Sequence, residues 1–150
     1  MMTDQASQSE ATSYRSQVRF TKPPESVFDA LTTLEGLARW WSPATGSVAA
    51  PGELRLTHRH EDPLVLRVDT VERPDSVEWS VLDYPLNPEW VGTRITFMLR
   101  RGDGGGTELQ FCHHGLTPQL ECYEHCSRGW DHFLPSLRDY VETGVGRPLG

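Results

Sequence analysis

The 150-residue chain predicts an α+β domain in which a curved antiparallel sheet of about six to seven strands closes on one long C-terminal helix. Three observations carry this. Sustained helical spacing over a long stretch occurs only from Thr117 to Gly144. Residues 53–114 read as strand, turn, strand without a helical interruption. Between the first strand and that meander lie two short helical segments, so each apolar face finds a partner when the sheet wraps the last helix.

Residues 1–13 are polar, lack the apolar core of a signal peptide, and are expected to be a disordered lead-in to one domain spanning 14–150. Tyr14 to Thr21 alternates, with Tyr14, Val18 and Phe20 opposite Arg15, Gln17 and Arg19, the pattern of a half-buried strand. Lys22-Pro23-Pro24 ends it, and Pro24 opens a short helix through Val27, Phe28, Ala30 and Leu31. A second helix runs from Leu34 to Trp41 and stops at Ser42-Pro43, because proline disfavours helical geometry in the residue before it. Neighbours on a helix point about 100 degrees apart. One of Trp40 and Trp41 is therefore expected in the core and the other at an edge or opening.

Turns at residues 60–63, 73–76, 85–88 and 102–106, rich in Pro, Gly, Asp and Asn, delimit strands at Glu53 to His60, Leu64 to Glu72, Val77 to Tyr84, Val91 to Arg100 and Thr107 to His114. Connections this short make neighbours antiparallel. The terminal helix is expected to be capped by Thr117-Pro118 and stopped by Gly144. Its stripe is Tyr123, Ser127, Trp130, Leu134, Leu137 and Val141, widened by Cys126, Phe133 and Tyr140. Pro135 cannot donate to the Asp131 carbonyl, so a bend is expected there.

A formal charge of -7 argues against nucleic acid or an anionic membrane surface as partner, since either needs a basic face. No apolar run is long enough to span a bilayer. Three cysteines without an export signal point to a reducing, cytoplasmic setting. An acidic chain remains compatible with a homodimer.

Strand alternation places Leu54, Leu56, His58 and His60 on the inner face of one strand, and Val77, Trp79 and Val81 on that of another. Ile95, Phe97 and Leu99 share such a face, as do Leu109, Phe111 and His113. The candidate ligand-binding residues from the sheet are therefore Leu56, His58, Trp79, Phe97, Phe111 and His113. Trp40, Trp41, Trp90, Trp130 and Phe133 complete the set; Trp130 is expected in the core, and Trp41 and Trp90 are the better candidates should any tryptophan stand at a pocket mouth. Aromatic and aliphatic walls with a few imidazoles suit a small-molecule pocket.

His58 or His113 is the candidate acid/base group should the protein be an enzyme; otherwise His60 and His113 are expected to reach solvent. Asp83 shares the face of Trp79 and could point inward, though such an aspartate more often caps the following turn. Cys122, His125 and Cys126 share a helical face, but their spacing matches neither a zinc ribbon nor a haem attachment, so neither metal nor cofactor is expected. The Gly-rich tract 102–106 falls short of a dinucleotide loop, and no catalytic signature is present.

The strings PPESVFDALTTLEGLARWW, PGELRL, RPDSVEWS, GGTELQFCHHG and GWDHFLPSLRDYVETG, in this order, resemble the helix-grip superfamily of START-like and polyketide-cyclase-like (SRPBCC) domains. Within it they are most similar to the AHSA-type branch, named after an activator of the ATPase of a heat-shock chaperone. The resemblance covers nearly all of the chain after Tyr14. It implies a cavity between sheet and long helix that holds an apolar or amphipathic molecule, in a superfamily of lipid carriers, hormone receptors, cyclases and stress-related co-chaperone domains. Chaperone-activating eukaryotic members carry a further N-terminal domain for which 150 residues leave no room, so direct activation is not expected.

The expected function is binding of a small hydrophobic or amphipathic ligand without covalent catalysis. The alternatives are a cyclase or dehydratase acting on an aromatic or polyketide-like substrate, and an interaction module touching a chaperone. A dry void of about 300 Å³ would cost roughly 7 kcal/mol, against a total stability of about 5–15 kcal/mol. The pocket is therefore expected to be small, partly wet or occupied.

Overall fold

A computed structural model describes residues 13–57 and 63–148. The described elements run β1 (Tyr14–Phe20), α1 (Pro24–Leu31), α2 (Leu34–Trp40), β2 (Ala44–Gly46), β3 (Gly52–Leu56), β4 (Leu64–Glu72), β5 (Ser76–Asp83), β6 (Arg94–Arg101), β7 (Thr107–His114) and α3 (Tyr123–Thr143). All strands join one sheet in the order β1-β7-β6-β5-β4-β3-β2, every pair antiparallel. The chain thus meanders from β2 to β7 and returns its first strand to the far edge beside β7. Register shifts in β4 after Val65 and after Val68 add local twist, which curls the sheet around α3. This is the α+β architecture expected, with two short helices after the first strand and the long helix last.

The inner face follows the alternation. Leu54, Leu56, Val77, Trp79, Val81, Ile95, Phe97, Leu99, Leu109 and Phe111 are all buried. α1 begins with Pro24 in its first turn, and α2 is capped by the Thr33 hydroxyl, which accepts the Gly36 amide at 3.0 Å. Gly36 also lets the two helices meet, since a Cβ there would lie 2.8 Å from the Ala30 carbonyl oxygen. Trp40 Nε1 donates to that same oxygen at 2.8 Å, and the Ser136 hydroxyl of α3 donates to the Trp40 carbonyl at 2.8 Å. The helical layer is thereby tied together around one indole.

Three expectations are corrected. α3 starts at Tyr123, not at Thr117-Pro118, because residues 117–122 form successive tight turns in which the Leu120 amide donates to Thr117 O and the Tyr123 amide to Leu120 O. The amides just before the helix are held from afar: Glu89, in the 3-10 turn Pro88–Trp90, accepts from the Glu121 and Cys122 amides at 3.2 and 3.0 Å. Trp40 and Trp41 do not diverge. Trp41 leaves helical geometry at φ -120 and ψ -76, so its ring stacks on Trp40 at 5.5 Å and both are buried. Finally, the strand expected from Val91 starts at Arg94, because Gly92 and Thr93 are bonded to Val81 across the loop that follows the 3-10 turn. The far end of the strand expected from Glu53 to His60 lies outside the described residues past Thr57.

α3 runs unbroken through Pro135 and ends at Gly144, whose φ of 86 fits the left-handed stop and whose amide donates to Tyr140 O at 2.7 Å. Pro135 is exposed and leaves the Asp131 carbonyl without its helical donor. Pro135→Ala is expected to raise unfolding stability by about 1–3 kcal/mol. Urea denaturation checks this, and an unchanged midpoint would show that the helix has already adapted to the proline.

Candidate functional site

The inner end of α3 meets the sheet at Trp130, where aromatic rings fill the space between them. Trp130 lies 4.5 Å from Phe111, 5.3 Å from Trp41 and 6.0 Å from Trp90, centroid to centroid. Trp41 stacks on Trp79 at 5.7 Å, Trp79 meets Phe97 edge-on at 5.1 Å, and Phe97 meets Phe111 in the same way at 5.1 Å. Phe133 adjoins Trp41 at 6.5 Å. The neighbour of each ring is another ring, the tilted and edge-on geometry that aromatic quadrupoles favour.

His113 is the polar member of this interior and is 0% exposed. Its Nδ1 accepts the Trp130 indole N–H at 3.0 Å, and its Nε2 lies 2.8 Å from the Thr93 hydroxyl oxygen. Thr93 in turn donates its own hydroxyl hydrogen to Trp90 O at 2.5 Å. With that hydrogen committed, Nε2 must carry the proton toward Thr93, which leaves Nδ1 bare for Trp130. Burial first, and the neighbouring His114 second, push the His113 pKa down to about 3. The imidazole is neutral and both its nitrogens are used.

Beside it, Cys126 Sγ accepts from Trp90 Nε1 at 3.1 Å and from Asn87 Nδ2 at 2.8 Å. Burial, then a hydrogen bond with Cys122, raise this thiol to about 12, against the opposing pull of the Trp90 and Asn87 donors. A thiol held protonated in this way is a poor metal ligand. Among the described residues no three His, Cys, Asp or Glu side chains gather as a metal site would need.

A groove of about 470 Å³ lies on the other side of Trp130, between β1 and α3. Its floor is Val18, Trp130 and Leu134, and Tyr14, Ser16 and Gln17 form the strand side. α3 contributes Asp131, Pro135, Arg138, Asp139 and Glu142. Two polar contacts clip the helix to the strand at either end of this groove. The Tyr14 hydroxyl donates to Asp131 Oδ1 at 2.5 Å, and the Thr21 amide donates to Glu142 Oε2 at 2.9 Å while the Thr21 hydroxyl bonds Glu142 Oε1. Burial, then the hydrogen bond and charge of Asp131, push the Tyr14 phenol above its usual range. At Glu142 partial burial opposes ionisation. The bonds from Thr21 and the Lys22 amide, with the Arg138 charge, outweigh it and hold the carboxyl below its usual range.

The sequence profile of the family described as activator of Hsp90 ATPase homolog 1-like protein matches residues 21–142. The chain belongs to this family. No curated protein matches it. Among solved structures, this family member is similar to the Aha1 dimer from Colwellia psychrerythraea, at 25% identity over 88% of this chain and 97% of that one, with a TM-score of 0.75. It is also similar to protein BH1534 of Bacillus halodurans, at 27% identity over 87% and 96% of the two chains and a TM-score of 0.70. A third similar structure is DynU16, a putative protein in the dynemicin biosynthetic locus. It is 23% identical over 90% of this chain and 49% of that one, at a TM-score of 0.71, a likeness of fold alone. The helix-grip fold of the AHSA-type branch is thus what the chain adopts.

Within this family fold the residues singled out by sequence divide sharply. Trp40, Trp41, Leu56, Trp79, Trp90, Phe97, Phe111, His113 and Trp130 are all buried, with Phe133 partly so, and Trp130 alone of them also lines the groove. Neither Trp41 nor Trp90 stands at an opening: they are 1% and 6% exposed. His113 does not reach solvent, because Trp90 covers it edge-on at 4.5 Å. Asp83 points out and is exposed at the end of β5. His58 and His60 lie outside the described residues. Sequence reading missed Tyr14, Asp131 and Glu142 as neighbours and Glu89 as a helix cap. Only the i, i+4 spacing of Trp130 and Leu134 beside Asp131 hinted at a wall there.

The depressed His113 pKa has a definite sign. The unfolded chain takes up a proton near 6.5 while the folded one does so only near 3, so this contribution is complete above about 6.5 and is lost as pH falls toward 3. His113→Gln should lower stability at neutral pH by about 1–2 kcal/mol. It should also flatten the acid decline by up to about 1.4 kcal/mol per pH unit. Urea midpoints taken stepwise from pH 7 to pH 4 check this, and parallel profiles for the two proteins would assign the acid loss to other groups.

Proposed function

We propose that the protein binds a small amphipathic molecule in the groove between β1 and α3 and does not transform it. The observation that carries this reading is the groove itself. At about 470 Å³ it falls within the size range of ligand sites, and it sets an apolar floor of Val18, Trp130 and Leu134 under a polar rim. Trp41 and Phe111 lie behind Trp130 at 5.3 and 4.5 Å and back that floor. The neutral, doubly bonded His113 supports binding over acid/base chemistry. Three free cysteines support a reducing, cytoplasmic setting.

A second reading is a protein contact of the kind the family description suggests. Leu82, Leu86 and Val91, on and after β5, are 40%, 46% and 49% exposed, an apolar supply for a partner surface. Retention of a chaperone on the immobilised protein, lost on Leu86→Glu, would favour it.

Ser16→Trp tests the first reading by filling the groove from the strand side. It is expected to weaken any bound apolar or amphipathic compound at least about tenfold, equivalent to losing about 1.4 kcal/mol of contact, with an unchanged circular dichroism spectrum. Native mass spectrometry of the purified protein supplies the compound. Undiminished binding by Ser16→Trp would move the site away from this groove.

A further inference from the structure

We infer that the molecule held between β1 and α3 carries a protonated amine as its polar end, an inference that rests on the reading of this groove as a binding site. The groove presents three carboxylates, Asp131, Asp139 and Glu142, against one guanidinium, Arg138. Their commitments differ. Asp139 is paired with Arg147 at 2.9 Å. Glu142 is held by Thr21 and lies within reach of the Arg138 charge. Asp131 has no cationic partner among the described residues; its one bond is from the Tyr14 hydroxyl to Oδ1.

A hydroxyl donor satisfies one lone pair of a carboxylate but does not neutralise it, and Oδ2 keeps its full accepting capacity. Tyr14 remains a neutral phenol, because burial and the adjacent Asp131 both oppose its ionisation. Its oxygen already bonds the Ser16 side chain, so Asp131 Oδ2 is the acceptor that an N–H donor would meet here. This polar pair stands next to the apolar floor, since Asp131 follows Trp130 directly and Leu134 comes one turn later on the same wall. An alkyl or aryl body laid on Val18, Trp130 and Leu134 would bring an ammonium to Asp131. A carboxylate end would be repelled there, and at Arg138 it would meet Asp139 and Glu142 on either side. A hydroxyl end would gain a bond but no charge pairing. Asp131 is exposed, so water and salt weaken the attraction and the preference is modest.

The probes are phenylbutylamine, phenylbutanol and phenylbutyrate, which share one apolar body and differ in head group. Titrated into isotope-labelled full-length protein at low salt, the amine is expected to bind about fivefold tighter than the alcohol, with the acid weakest. Amide shifts should fall in residues 14–18 and 130–142. Added salt should shrink the preference. Asp131→Asn should bring amine and alcohol to equal affinity, and Asp131→Lys should reverse the order of amine and acid, both substitutions sitting on an exposed helix face. If the three compounds bind the groove equally, or if Asp131→Lys leaves the order unchanged, the amine inference fails while the binding groove stands. If none shifts these amides, both fail together.

Discussion

The Trp130 indole has to be buried in the middle of the grip and yet have its N–H satisfied, and the surrounding structure follows from that requirement. A large ring is wanted there because α3 crosses the sheet at this point, and truncating such a ring costs about 3–5 kcal/mol. An indole N–H without a partner would forfeit about 1–3 kcal/mol of that gain. His113, on the inner face of β7, supplies the acceptor, but only in one tautomer. That tautomer needs an acceptor in turn, which Thr93 provides, and the Thr93 hydroxyl passes its hydrogen to Trp90 O. One buried donor thus fixes the helix, a strand and the loop before β6. Trp90 then closes over the chain of bonds, edge-on to His113 and stacked on Trp130. The same relay deprives His113 of the freedom a general base requires.

With Trp130 anchored, the remainder of α3 is positioned by polar contacts at its two ends. Glu89 holds the two amides that lead into the helix and Glu142 ties its last turn to Thr21. Tyr14 and Thr21 mark the start of β1 and the residue just beyond its end, and they bond Asp131 and Glu142 in parallel order. The strand segment spans about 23 Å and the helix segment about 16 Å, so the two elements are clipped at both ends without matching in between. A groove between the clips is the geometric consequence. Among the described strands β1 is an edge, bonded to β7 alone, and its inward side chains are therefore shared between core and groove.

What could be read from the chain was what depends on local period. Alternation in β1, β5, β6 and β7 placed the inner face correctly; of the expected α3 stripe Trp130, Leu134 and Leu137 are buried, Tyr123, Ser127 and Val141 are half-buried, and the flanking Cys126 is buried with the core. What could not be read depends on contacts between distant residues. The Thr117-Pro118 pair carries a good helix-start signal, but turns at 117–122 and the distant Glu89, which accepts the Glu121 and Cys122 amides, satisfy that stretch without a helix. Trp41 was assigned by helical geometry that ends one residue before it. His113 sits at a strand end, where solvent is the local expectation, and only the fold of residues 87–93 over it removes that solvent. The pairing of Tyr14 with Asp131 spans 117 residues and has no local signature.

The energetic argument about voids then bears on where a guest can sit. An apolar hollow deep in the grip would consume much of a domain's stability if left empty, and here tryptophan and phenylalanine rings occupy that region. Open space lies instead at the sheet edge, where a groove with a wet rim costs little when vacant because its polar groups remain solvated. On the reading proposed above, such a site would gain its affinity from the small apolar floor and its selectivity from the charges around it. Asp131 and Arg138 are exposed on the groove wall, so their charges can be changed with little cost to the core, whereas Tyr14 also packs edge-on against Phe111 at 6.0 Å.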